Sequence, residues 1–128
     1  ALNYAGIYPE EVDYINAHGT ATLANDVAET EAINRVFGDH AKKLAVSSTK
    51  SMHGHALGAS SALELIAVTL ATYHGTIPPT ANFTVADDLC DLDYVPNQSR
   101  DLEINAAITN SFAFGGLNSV IAVKKHLC

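Results

Sequence analysis

Three short polar segments of this 128-residue chain hold side chains able to donate, accept or move protons. They are Asn16-Ala17-His18-Gly19-Thr20, Ser48-Thr49-Lys50-Ser51-Met52-His53-Gly54-His55 and Asn110-Ser111-Phe112-Ala113-Phe114-Gly115-Gly116. Each sits at the end of a predicted strand, and loops at strand ends are where layered α/β folds place reactive groups. A single histidine after a strand is usually a hydrogen-bonded structural group, so His18 by itself would carry little. Lys50 and His55 change the balance. The glycine directly before His55 permits a backbone bend that can bring the ring to a ligand. His18, His53 and His55 also admit a metal reading, since a His-x-His pair on a strand projects both rings to one side. No fourth ligand stands out, and the expected site holds no metal.

The elements that must position these groups follow from apolar spacing. Residues 12–16 (VDYIN) read as a strand running into the His18 turn. Val27, Ala28, Ala32, Ile33, Val36 and Phe37 recur at helical spacing and end at Gly38. Residues 44–47 form a second short strand. A second helix is expected over about 56–73, and it is apolar on nearly every face, with small Gly58, Ser60 and Ser61 at its start. A surface helix would show one polar face, so this one should lie buried between two layers. Gly75 and Pro78-Pro79 end it, and residues 80–100, rich in Asp, Asn and Pro, read as an irregular connection. Residues 104–112 and 118–124 form a hairpin around Phe114-Gly115-Gly116. The alternation implies an α/β fold with a mixed sheet packed with helices. One sheet and one further long helix do not cover an all-apolar helix on both sides, so the chain reads as half of a larger structure.

Composition narrows the partners. Seven basic against fourteen acidic side chains give a formal charge of -7, which repels nucleic acid. The longest apolar stretch, residues 62–71, is interrupted by Glu64 and falls short of the roughly 20 residues that cross a bilayer. No membrane association is expected. The first residues show no secretory leader, and Cys90 and Cys128 are too few and too distant for a disulfide framework or a metal-binding pair. A reducing cytoplasm is the expected setting.

The segments NAHGT, STKSMxGH followed by LGA, and NSFxFGG, in this order and spacing, resemble the C-terminal half of the chain-elongating, two-histidine β-ketoacyl-acyl-carrier-protein synthases. The likeness spans nearly all of residues 1–128 as one domain, including PPT at 78–80 and CDLDYVP at 90–96. It implies a thiolase-like fold of two similar halves with central helices sandwiched between sheets, which would bury the 56–73 helix. It also implies decarboxylative condensation of malonyl-carrier protein with an enzyme-bound acyl thioester in fatty acid elongation. His18 and His55 would donate hydrogen bonds to the malonyl thioester oxygen, and the backbone N–H of Phe114 would serve the oxyanion of acyl attack. Lys50 would order the histidines. Asn16, Glu29, Glu64, Phe112 and Gly115 would support the site, with a structural monovalent cation near Glu29 and Glu64 as the one candidate cofactor. Glu29 has a plainer reading as a solvated residue on an amphipathic helix. Glu64, in an apolar helix, needs Lys50 or a cation as partner.

The family's nucleophilic cysteine lies in an N-terminal half not represented here. Cys90 is expected to pack, and Cys128 to be a tail residue. The implied partners are the acyl carrier protein, the other half, and a second copy in a homodimer. The chain alone is expected to be inactive. A non-catalytic subunit of the chain-length-factor kind and a polyketide ketosynthase half are the alternatives. Departures from the family pattern are Leu23 and Asn25 for proline and glycine, His53 for threonine, Ser61 for glycine, and Ala113 for the glycine between the phenylalanines, where a Cβ is expected to narrow the loop's angles.

Overall fold

The computed structural model describes residues 1–126. Along the chain run α1 (Leu2–Ala5), β1 (Tyr14–Asn16), α2 (Leu23–Phe37), β2 (Ala45–Ser47), α3 (Lys50–His53), α4 (Ser60–His74), β3 (Thr76–Ile77), β4 (Arg100–Asp101), β5 (Ala106–Ala113) and β6 (Leu117–Lys124). The main sheet has the order β2-β1-β5-β6, and β3 pairs with β4 in a small second sheet. β1 runs parallel to both β2 and β5, whereas β5 and β6 form the antiparallel hairpin. The sheet is therefore mixed, as the spacing predicts.

Successive strand side chains point to opposite faces, and this alternation divides the interior into two cores. Ile15, Val46 and Ile108 meet Ile33 and Phe37 of α2 on one face. Tyr14, Ala45 and Ala107 meet Val68 and Ala71 of α4 on the other. Each fully buried aliphatic side chain contributes about 1.5–3 kcal/mol, so packing decides where both helices lie. The two helices flank the sheet as outer layers. Strands β1 and β2 are only three residues long and wholly buried, which fits short parallel strands covered on both faces.

Several boundaries differ from the expectation. α2 begins at Leu23, one turn before its apolar periodicity does, and Gly38 ends it at a φ of 53°. α4 begins at Ser60; residues 57–59 form a 3₁₀ turn in front of it, entered through Leu57 at a φ of 50°. α3 has no apolar stripe to announce it, because its four residues are fixed by the site.

α4 buries Ser60, Glu64, Val68, Ala71 and Thr72, while Leu63, Ile66, Leu70 and Tyr73 lie exposed, Ile66 by 57%. The expected cover on both sides is thus met on one side within this chain. The connection from β3 to β4 is irregular, tied by a bridge between Thr80 and Pro96. Cys90 is partly buried, and Cys128 lies outside the described residues.

Candidate active site

Parallel pairing aligns the carboxyl ends of β1, β2 and β5: Asn16 stands opposite Ser47 on one side and Thr109 on the other. The His18 turn, the Lys50 helix and the Asn110–Phe114 segment therefore leave the sheet at one edge, and this convergence creates the site.

Glu29 builds the His18 turn. Its two carboxylate oxygens accept the backbone N–H groups of His18 and Gly19, each at 2.9 Å, and the side-chain amides of Asn110 at 3.0 Å and Asn25 at 3.3 Å. The carboxylate is buried, which corrects the plain reading of a solvated helix position. Four N–H donors compensate the lost hydration. Asn25, one of the departures, thus joins the network. Gly19, at a φ of 40°, is required by close approach: a Cβ there would lie 2.5 Å from the Cβ of Ser48. Ser48 Oγ donates to the Gly19 carbonyl at 2.6 Å, locking the two loops together.

Behind the turn, Lys50 at the start of α3 and Glu64 on α4 form an ion pair with almost no exposed side-chain surface. Burial pushes the Glu64 carboxyl above the ordinary range, and the Lys50 ammonium pulls it back. Lys50 Nζ also faces His18 Nδ1 at 3.5 Å. An ammonium can only donate, so Nδ1 of His18 is the acceptor and the ring proton sits on Nε2. Burial first, and the Lys50 charge second, hold the His18 pKa below the usual imidazole range. His18 is consequently a neutral donor near pH 7.

His55 reaches the same tautomer by other means. Its Nδ1 accepts the backbone N–H of Leu57 at 3.2 Å and meets Ser60 Oγ at 2.8 Å. Because the backbone group can only donate, the His55 proton also resides on Nε2. The two rings stand 5.7 Å apart between centroids and nearly perpendicular, at 88°. Phe112 packs 5.4 Å from His18. A cleft of about 570 Å³ is lined by Lys50 and His55 and, among others, by Leu23, Val27 and Phe83.

Asn16 touches neither histidine. It is buried beneath them, donating to Tyr14 Oη at 3.3 Å and Thr49 Oγ1 at 3.1 Å. Phe114 is fully exposed at the hairpin tip, and Gly115 and Gly116 carry the turn, both at a φ of 81°. Ala113 takes extended angles, φ −132° and ψ 162°, which any residue adopts. Ser61, in place of a glycine, shares a hydrogen bond with Ser111 at 2.9 Å, pinning the start of α4 to β5.

The His-x-His geometry does not hold: His53 is the last residue of α3 and His55 follows in a loop. Among the described residues no three His, Cys, Asp or Glu side chains group as a metal site. For the monovalent cation, Glu29 has both oxygens engaged. Among the described residues, the buried side-chain oxygens without a hydrogen-bond partner are Glu64 Oε2, Asn16 Oδ1 and Thr109 Oγ1, and oxygens suit a hard cation. Sequence reasoning missed Asn110, Ser60 and the Leu57 amide. Asn110 stood inside a recognised motif, but only the fold reveals that it reaches Glu29.

Residues 1–84 match the family model for the beta-ketoacyl synthase, C-terminal domain. Nodulation protein E of Rhizobium sp. (strain N33) is 54% identical over 121 residues, covering 94% of this chain and 30% of the relative. The 3-oxoacyl-[acyl-carrier-protein] synthase 2 of Coxiella burnetii is 54% identical over 125 residues, 98% of this chain and 30% of that protein. A solved structure described as a type II PKS acyl-carrier protein in complex with its ketosynthase bound to the hexaketide superimposes with a TM-score of 0.95 at 43% identity, over 97% of this chain and 30% of that one. The chain thus spans about 30% of the length of the curated relatives it matches. With its thiolase-like α/β architecture and its paired histidines, it belongs to the β-ketoacyl synthase family, as a C-terminal domain.

Proposed function

We propose that this chain supplies the malonyl-activating part of a β-ketoacyl-acyl-carrier-protein synthase in fatty acid elongation, acting with a cysteine-bearing N-terminal half. The observation that carries the reading is the pair of neutral imidazoles. His18 and His55 each have Nδ1 engaged as an acceptor and the proton on Nε2, on rings 5.7 Å apart.

In this mechanism the bond between the malonyl α-carbon and its carboxylate breaks and CO₂ leaves. The electron pair moves into the thioester, and the oxygen becomes an enolate. The two Nε2–H donors stabilise that charge where it develops. The enolate carbon then attacks the acyl thioester on the cysteine; a C–C bond forms and the cysteine thiolate departs. The Phe114 N–H serves the second oxyanion, its ring and Phe112 border the acyl path, and Gly115 permits the turn. Lys50 sets the His18 tautomer, Glu64 holds Lys50, Glu29 fixes the turn and Asn16 underpins the floor. A monovalent cation, when bound near Glu64, would add structural charge compensation.

Acyl carrier protein is the proposed partner, supported by the carrier-bound ketosynthase of the same fold. The exposed apolar side of α4 supports a companion half. A homodimeric, cytoplasmic enzyme completes the reading; no helix among the described residues is long and apolar enough to cross a membrane.

The test is malonyl-carrier-protein decarboxylation by the full-length protein. Replacing His18 or His55 with alanine should slow it about 100-fold to 1000-fold, as loss of one aimed donor does elsewhere. Unchanged decarboxylation in either variant removes that histidine from the mechanism. The 128-residue chain alone should form no condensation product, and measurable condensation by it would overturn the division of labour.

A further inference from the structure

His53 is not among the groups assigned above, yet it is the end point of a directed hydrogen-bond chain. Its Nδ1 lies 2.8 Å from the Gly54 carbonyl oxygen, which can only accept, so the His53 proton is on Nδ1. Its Nε2, 3.2 Å from Thr49 Oγ1, is then an acceptor. Thr49 Oγ1 receives an N–H from Asn16 Nδ2 at 3.1 Å and passes its own hydrogen to His53. The direction is therefore fixed: Asn16 to Thr49, Thr49 to His53, His53 to the Gly54 carbonyl.

That carbonyl belongs to the peptide joining Gly54 to His55. Gly54 sits at φ 78° and ψ 177° and ends α3, its N–H donating to the Lys50 carbonyl at 2.8 Å. Glycine in this conformation has no Cβ to limit rotation, and nothing lies within 4 Å of where one would be. The Gly54 N–H is tethered by Lys50 and the Gly54 carbonyl by His53. Without the second tether the peptide before His55 is free to turn about the glycine. We infer that His53 is a positioning residue, holding the Gly54–His55 peptide so that His55 presents Nε2–H toward the reacting oxygen. Through Thr49 it joins buried Asn16 to the backbone that carries His55.

This role rests on the reading of His55 as a donor, and the test separates the two. In the full-length protein, His53→Ala should lower kcat for malonyl decarboxylation about 10-fold to 100-fold, the penalty of modest misplacement, with KM within about twofold. His53→Asn, whose amide reaches the Gly54 carbonyl as Nδ1 does, should recover most of the loss. His53→Gln, which reaches Thr49 instead, should recover less. Nitrogen-15 histidine spectra should show one neutral Nε2–H tautomer for His55 in the parent and a broadened or mixed one in His53→Ala. Wild-type kcat in His53→Ala, or no advantage of Asn over Ala, overturns the assignment; if the alanine variant does not fold, the Asn and Gln variants carry the comparison. Should the parent protein show no decarboxylation, the proposed function fails, while the His55 spectra still decide whether His53 positions the ring.

Discussion

Glu29 shows how a single buried side chain fixes the turn that bears a site histidine. Both of its oxygens hold the turn that bears His18, and Glu29→Gln would set an NH₂ group against N–H donors that need an acceptor. Leaving buried donors unpaired costs about 1–3 kcal/mol, so urea unfolding of the variant should show a loss of that size. His18 offers a second measurement. Its folded pKa lies below that of an unfolded imidazole, about 6.5, so the unfolded state binds the proton more readily. The associated stability is full above that value and is lost as pH falls toward the folded pKa. Its NMR titration should have a midpoint below 6.5. Lys50→Met should raise that midpoint only in part, because burial is the larger cause and Lys50 the second. A fully restored midpoint would assign the shift to charge instead. At this scale the sequence was most informative where the residue type itself does chemistry, as in His18, Lys50 and His55. It was silent on Asn110 and Ser60, whose partners lie 81 and 5 residues away and whose types suit many surface roles.

At the scale of elements, β1, β2, the two long helices and the β5–β6 hairpin were legible from their apolar runs and spacing, whereas α1 and the two-residue strands β3 and β4 were not. The 3₁₀ turn at 57–59 and the four-residue α3 were not legible either, since their conformations follow from the Lys50–Glu64 pair, the Gly54 bend and the His55 ring contacts. The Gly19–Ser48 crossing is a tight joint between loops, with no room for a Cβ at residue 19. Gly19→Ala combines a steric clash with a left-handed backbone and should destabilise by about 2–4 kcal/mol. A thermal melt is the check, and a variant as stable as the parent would mean that the two loops can separate without cost.

For the molecule as a whole, the apolar outer side of α4 is the feature that the sequence announced and the chain leaves bare. Ile66→Glu should change the stability of the 128-residue chain little, because the side chain is 57% exposed there. In the full-length protein the same change should impair folding or assembly, since a buried unpaired carboxylate costs several kcal/mol. Equal tolerance in both settings would show that no second layer covers this helix. On the proposed reading, the identity of the acyl substrate was not legible in the sequence, because its path would be lined in part by residues outside this chain.

Tyr14 lies at the centre of the sheet with no exposed surface, its hydroxyl 2.8 Å from Ser47 Oγ, and burial raises its pKa to about 12. The chain has five tyrosines and no tryptophan, so phenol absorbance is its natural optical probe. An unfolded tyrosine ionises near pH 10. The folded state therefore withholds the Tyr14 phenolate, and stability should decline as pH rises from about 10 toward 12. Tyr94, also raised to about 12, adds to the withheld signal. The ultraviolet alkaline titration thus doubles as a report on whether the strand that leads into the His18 turn is still in place.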